Sequence, residues 1–324
     1  MPTDQPKPVQ PTPSEVAEPT PARSKVPGPA FIRLPLGVPL SEPEALAMAS
    51  DRSVRIVVLA GAVASGKTTL LTSLYELFQS GPISKVRFAE CRTLPAFEQR
   101  CHLSRTESEK QLADTPRTPY AGPNPEYLHL RIETGREGDD FVDFLFTDVS
   151  GEMFEHARNS TDECKQFIFL NRAGHFLVFL DCEKALMPDK RWDIVQDVKT
   201  LLQSCLDSAM LTAACKCTVV WSKCDFFEAA KDKAEVAKFV AAVEADLRGT
   251  FVERIPSLKF HRTAARPTRQ PNLKMGFGVR ELLDDWIAAS PQGRPMRLEP
   301  PTESGGPRES DQFAKRHYGG EGSE

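Results

Sequence analysis

An α/β domain on a mainly parallel sheet is the fold this sequence predicts, and three observations predict it. Short apolar runs bounded by turn residues recur along the middle of the chain, several separated by segments of helical spacing, as crossover connections require. The first run, residues 54–60 (VRIVVLA), leads through a glycine-rich loop, residues 61–68 (GAVASGKT), into an amphipathic run, residues 69–78. Two later runs, residues 127–132 (YLHLRI) and 141–147 (FVDFLFT), are joined only by residues 133–140. That connection is too short for a crossover helix, so the two must pair antiparallel.

Taken in order, strand 54–60 is followed by helix 66–79, with Leu70, Leu71, Leu74, Leu77 and Phe78 on its buried side. Residues 86–89 read as a short extra strand. Residues 94–112 are charged, carry helical spacing in parts and read as a helical insertion after the first helix. The antiparallel hairpin then forms one edge of the sheet. Residues 175–180 (HFLVFL), 218–221 (TVVW) and 258–261 (LKFH) read as buried strands. Residues 189–206, 229–247 and 279–289 read as helices, the last with Leu282, Leu283, Trp286 and Ile287 on one face.

Prolines, 27 in the chain, crowd its two ends, where too little apolar surface exists to offset the entropy of ordering. Residues 1–50 therefore read as a Pro-rich disordered segment, 51–290 as one domain with length enough for a proper core, and 291–324 as a disordered tail. The net charge of −4 provides no strong field for nucleic acid or an anionic membrane. The eight cysteines form no CxxC pair and no secretory signal precedes them, so reduced thiols in a cytoplasmic protein are expected. No apolar stretch has the length of a membrane span.

The chemistry sits in the loops that follow the strands. In residues 61–68 the positions Gly61, Gly66, Lys67 and Thr68 fit a phosphate-binding loop. Glycine lets backbone N–H groups, including those around Ala64, Ser65 and Thr69, close on phosphate oxygens. The Lys67 ammonium reaches the β- and γ-phosphates and the Thr68 hydroxyl ligates Mg²⁺. Asp148-Val149-Ser150-Gly151 ends the second hairpin strand. An aspartate there holds a Mg²⁺-bound water, and the glycine N–H meets a γ-phosphate. A lone DxxG is in most sequences an ordinary turn. Its place after a phosphate loop and a hairpin is what makes it informative.

Ser222-Lys223-Cys224-Asp225 ends the strand 218–221, where a GTPase has [NT]KxD. An ionised Asp225 offers acceptors only, guanine presents two adjacent donors, and adenine offers no such pair. The Lys223 stem would lie along the base. Ser222 in place of Asn or Thr is expected to weaken the bracing of this loop. Thr263-Ala264-Ala265 loosely fits the loop whose Ala264 N–H would meet guanine O6. Thr115 and Thr118, in residues 114–119 (DTPRTP), are both candidates for the threonine that reaches Mg²⁺ and the γ-phosphate, and the sequence does not separate them.

With these loops in GTPase order, residues 55–289 resemble the translation-factor-related P-loop GTPases, a three-layer, Ras-like fold. Within them the chain is most similar to the second member of the bacterial double-GTPase family, on residues 88–105 (FAECRTLPAFEQRCHLSR), 114–118 (DTPRT), 148–152 (DVSGE) and the SKCD loop. The resemblance implies a GTP/GDP- and Mg²⁺-binding switch that acts with a second GTPase or accessory proteins, in systems of bacterial conflict such as antiphage defence. Glu152 stands where Ras-like enzymes carry the water-orienting Gln, and a carboxylate beside a γ-phosphate meets like-charge repulsion. His156 is a second candidate for positioning water, and Arg105 and Arg117 for stabilising charge. Lys67, Glu152 and Thr118 are the expected catalytic set, with slow intrinsic hydrolysis. Two alternatives stand beside this reading: a P-loop ATPase with Asp181 as its Mg²⁺-supporting acid, and a non-hydrolysing nucleotide-binding scaffold.

Overall fold

Strand β1 (Val54–Ala60) is buried on both faces over nearly its whole length, and the sheet is built outward from it. A computed structural model describes residues 37–102, 125–135, 141–270 and 272–288. Among these the order is α1 (Glu42–Asp51), β1, α2 (Lys67–Ser80), β2 (Arg87–Glu90), α3 (Leu94–His102), β3 (Glu126–Glu133), β4 (Phe141–Asp148), α4 (Gly151–Ala157) and α5 (Thr161–Cys164). There follow β5 (Ala173–Asp181), α6 (Cys182–Ala185), α7 (Arg191–Asp207), β6 (Lys216–Ser222), α8 (Asp225–Ala229), α9 (Lys233–Phe251), β7 (Lys259–Arg262) and α10 (Val279–Ala288).

The seven strands run in the order β2-β3-β4-β1-β5-β6-β7. From β4 to β7 every neighbouring pair is parallel. The expected hairpin is present as β3 against β4, and β2 continues the antiparallel edge beyond it. Because β1, β4, β5, β6 and β7 point the same way, the loops after them gather at one end of the sheet, where open α/β sheets bind ligands.

Helices cover both faces, giving three layers. On one face Ile56, Val58, Leu145, Phe176, Val178, Val219 and Trp221 pack against α1, α4, α7 and α9. On the other, Val57, Leu59, Leu130, Phe144, Phe146 and Val220 pack against α2, α3 and α10, whose Trp286 tilts over Phe144 and Phe146. The long helix α9 starts where Asp232 accepts from the Glu235 N–H at 2.9 Å, satisfying an otherwise orphan donor.

The domain starts earlier than residue 51. All of helix α1 but its last residue, Asp51, falls in the segment 1–50 expected to be disordered, and it buries Ala45 and Met48 in the core. Its start is fixed by Pro43 in the first turn and by the Glu44 carboxylate, which accepts from the Ser41 N–H at 2.8 Å and the Ser41 hydroxyl at 2.6 Å. These hydrogen bonds hold the Glu44 carboxyl below its ordinary range. Leu40 pairs with Tyr127, tying the segment to β3.

Helix α3 is the described part of the expected insertion 94–112. Its approach is pinned to the sheet: the Arg92 N–H donates to His129 Nδ1 at 3.0 Å, and the His129 N–H donates to the Thr93 hydroxyl at 2.9 Å. With Nδ1 accepting, Nε2 must carry the proton it gives to Asp143 Oδ1 at 2.9 Å. Burial works to raise the Asp143 carboxyl, but that bond and the charges of Arg131 and Arg52 hold it below its ordinary range.

Candidate functional site

Gly61 and Gly66 sit at φ +144° and +93°, backbone that L side chains rarely adopt, and this is why the loop between β1 and α2 needs glycine there. Ala64 also adopts the left-handed region, at φ 61°. The Lys67 ammonium turns back on its own loop, donating to Gly61 O at 2.8 Å and Ala62 O at 2.9 Å. Ser65 is buried and its hydroxyl meets no partner among the described residues. Thr68 and Thr69, in the first turn of α2, are half-buried.

Gly151 opens α4 against this loop. A Cβ on Gly151 would come within 2.6 Å of the Val63 nitrogen, so only glycine permits the backbone contact. Ser150 caps the helix by accepting from the Glu152 N–H at 3.3 Å. Glu152 is half-buried and His156 exposed. Asp148 ends β4, its backbone paired with Glu126. Thr115, Thr118, Arg105 and Arg117 lie outside the described residues.

Ser222 does more than expected of it. Its hydroxyl lies 2.7 Å from Ser65 O and 3.3 Å from Leu180 O, so the short side chain braces the phosphate loop after all. The backbone approach lets it: Ser222 Cβ is 3.6 Å from where a Gly66 Cβ would stand. Lys223, at φ 56°, points its ammonium to Asp181 Oδ2 at 2.8 Å and Glu183 Oε2 at 3.2 Å. Burial lowers the pKa of that ammonium, and the two carboxylates more than reverse the effect, raising it. Beneath the loop, Cys224 Sγ lies 3.5 Å from Cys182 Sγ, and all eight cysteines are free thiols.

Asp225 is buried, and its Oδ2 accepts from two successive backbone amides, Thr268 N at 2.8 Å and Arg269 N at 3.0 Å. The carboxylate thus already grips a pair of adjacent N–H donors, the pattern that guanine N1–H and N2–H present. Sequence reading missed this loop, because residues 266–270 carry no recognisable motif. The Ala264 expectation is corrected. Its N–H donates to Phe277 O at 3.0 Å, bridging the loop after β7 to the start of α10, so it is not presented to a base carbonyl. Asp181, the acid of the ATPase alternative, is buried; its Oδ2 pairs with Lys223 and its Oδ1 accepts from the Glu183 N–H at 2.9 Å.

One residue had no place in the sequence reading. Glu155, one helical turn after Gly151, accepts the Val63 N–H of the phosphate loop on Oε1 at 3.0 Å. The contact joins positions far apart in the chain, and no local spacing marks it.

A parallel sheet with a glycine-rich loop closing on a helix start at its C-terminal end, braced by the DxxG and SKCD loops, defines the class of P-loop nucleotide-binding domains. The Double-GTPase 2 family model matches residues 55–287, and the chain belongs to that family. The GDP-bound RocCORdC part of Methanosarcina barkeri Roco2 is similar at 14% identity, with a TM-score of 0.34. The match covers 74% of this chain and 51% of that one, so this chain spans about half its length. No curated protein matches significantly.

Proposed function

We propose that this chain binds GTP and Mg²⁺ in the loop 61–68 and hydrolyses GTP slowly, the bound and hydrolysed states differing in the segment that starts at Gly151. The observation that carries the reading is the joining of three motif loops at one end of the sheet: Ser222 on Ser65 O, and Gly151 against Val63. Membership of a GTPase family supports guanine over adenine. The occupied carboxylate of Asp181 weighs against the ATPase alternative.

The Lys67 ammonium has three donors and now satisfies loop carbonyls; a triphosphate offers stronger, anionic acceptors in their place. Among the described residues no group of His, Cys, Asp and Glu could hold a metal by itself. The donors that the motifs supply, a threonine hydroxyl at Thr68 and a carboxylate at Asp148, are hard oxygens of the kind that suits a Mg²⁺ completed by phosphate and water. When bound, that ion would neutralise charge developing on the β- and γ-phosphates. Asp225 accepts the guanine donors, exchanging or sharing its bonds to Thr268 and Arg269. Glu152 lacks the amide that orients water in Ras-like enzymes, which makes the chain's own turnover slow and leaves acceleration to a partner.

That partner is a second GTPase or an accessory protein, and the setting is bacterial conflict such as defence against phage. Both rest on the family likeness. A cytoplasmic location accords with the absence, among the described residues, of any helix long and apolar enough to cross a membrane. The deciding experiment is competition binding of GTP against ATP with Mg²⁺, followed by phosphate release. ATP preference would overturn the reading. Guanine binding with release no faster than background, even with the partner, would replace the enzyme with a scaffold.

A further inference from the structure

We infer that Glu155 sets the preference of this site between nucleoside tri- and diphosphates, by holding the place on the phosphate loop that a γ-phosphate must take. The inference rests on the reading of residues 61–68 as a guanine nucleotide site. Val63 is the third residue of that loop, and its N–H is one of the amides that converge on bound phosphate. Here its acceptor is the Glu155 carboxylate at 3.0 Å, an anionic oxygen of the kind a phosphate would supply.

The two ends of a triphosphate meet this contact differently. The α- and β-phosphates are cradled where the loop enters the helix, around Gly66, Lys67 and Thr68, while the γ-phosphate extends toward the DxxG glycine. Gly151 lies in backbone contact with Ala62 and Val63, so the γ-phosphate and Glu155 compete for the same corner. A carboxylate and a γ-phosphate repel there. A diphosphate leaves Glu155 in place. A triphosphate expels it, and with it the helix α4 on which it stands.

The expelled side chain has somewhere to go. Glu155 lines a cavity of about 60 Å³ between α4, β5 and α7, whose other lining residues include the cations Arg158 and Lys184. Arg158 is ion-paired with Asp197 across that space. Moving Glu155 from an amide to a cationic partner makes the loss of the Val63 contact tolerable, and the γ-phosphate is then read out as a shift of α4.

The test compares the full chain with Glu155→Gln, which keeps an acceptor and removes the charge, and Glu155→Ala, which removes both. Binding of GDP and of a non-hydrolysable GTP analogue is measured with Mg²⁺ by calorimetry. Both variants are expected to bind the analogue about 10-fold more tightly, a gain of about 1.4 kcal/mol, with GDP affinity changed less than about 2-fold. A ratio of the two affinities unchanged in both variants, or both affinities changed alike, overturns the role of Glu155 while leaving the nucleotide site standing. Failure of the unaltered chain to bind either nucleotide removes the site reading itself, and this inference with it.

Discussion

The Ser222 hydroxyl reaches the main-chain carbonyl of Ser65 at 2.7 Å, so the loop after β6 and the loop after β1 are held as one piece. Both residues are buried, and their contact connects the part of the site expected to read a base to the part expected to hold phosphate. Asparagine does this work in the usual motif with a longer side chain. Here the closeness of Ser222 Cβ to Gly66 makes a one-carbon hydroxyl sufficient.

Ser222→Ala leaves Ser65 O without that donor in a buried place. The expected cost is about 1 to 2 kcal/mol of stability, read by urea denaturation, with weaker binding of both GDP and GTP. An unchanged denaturation midpoint would show that the bond contributes nothing.

Lys67→Ala removes a cation that now bonds Gly61 O and Ala62 O, and that a triphosphate would recruit. Charge-assisted bonds of this kind contribute about 1.5 to 3 kcal/mol, so GTP affinity should fall by roughly 10- to 100-fold. Because the loop carbonyls also lose a partner, melting without nucleotide should fall slightly. Retained affinity in the variant would mean that the nucleotide lies elsewhere.

Asp225→Asn separates the two tasks of this carboxylate. The amide oxygen can still accept from Thr268 and Arg269, so the fold should persist with a small loss of stability. Its NH₂ group, however, meets guanine donors with a donor, and without charge. GTP affinity should drop by about 10- to 100-fold while ATP affinity stays low and unchanged. Competition assays read both at once; an unaltered GTP-to-ATP ratio would show that Asp225 serves only its own loop.

The frame of this fold is legible in the sequence wherever period and punctuation agree. Strand β1 and the start of α2 stand out because an apolar run meets glycines at fixed spacing, and the β3–β4 hairpin because eight residues cannot cross over. Helix α1 is harder to see: Ser41 and Glu44 have capping-box spacing, but the prolines around them outweigh it in any compositional reading. Short helices such as α6 and α8 escape because four or five residues carry no period; α6 starts where Asp181 accepts from the Glu183 N–H. In the site, residue types that phosphate chemistry demands are visible, whereas Glu155 on Val63 and Asp225 on Thr268 join distant positions that no local pattern links. Ala264 misleads for the same reason, since its acceptor, Phe277, is set by the tertiary course of the chain.

His175 gives the fold a pH dependence with a defined window. It is buried at the start of β5, its Nε2 meets no hydrogen-bond partner among the described residues, and burial first, then the charges of Lys216 and Arg55, push its pKa from 6.5 down to about 4. Lys259 adds to this and Asp285 opposes it, without reversing it. The unfolded chain takes up this proton below pH 6.5 while the folded chain resists until about 4. Stability is therefore whole above 6.5 and is lost as pH falls toward 4, by about 2 to 3 kcal/mol from this group alone. The carboxyls of Asp143 and Asp285 are held below their ordinary 3.8, so the stability they contribute is lost only at lower pH. His175→Leu removes the imidazole and should flatten the fall. Urea denaturation at pH 7 and 4.5 should give a smaller difference for the variant than for the unaltered chain by about that amount; equal differences would mean that His175 accepts its proton in the folded state.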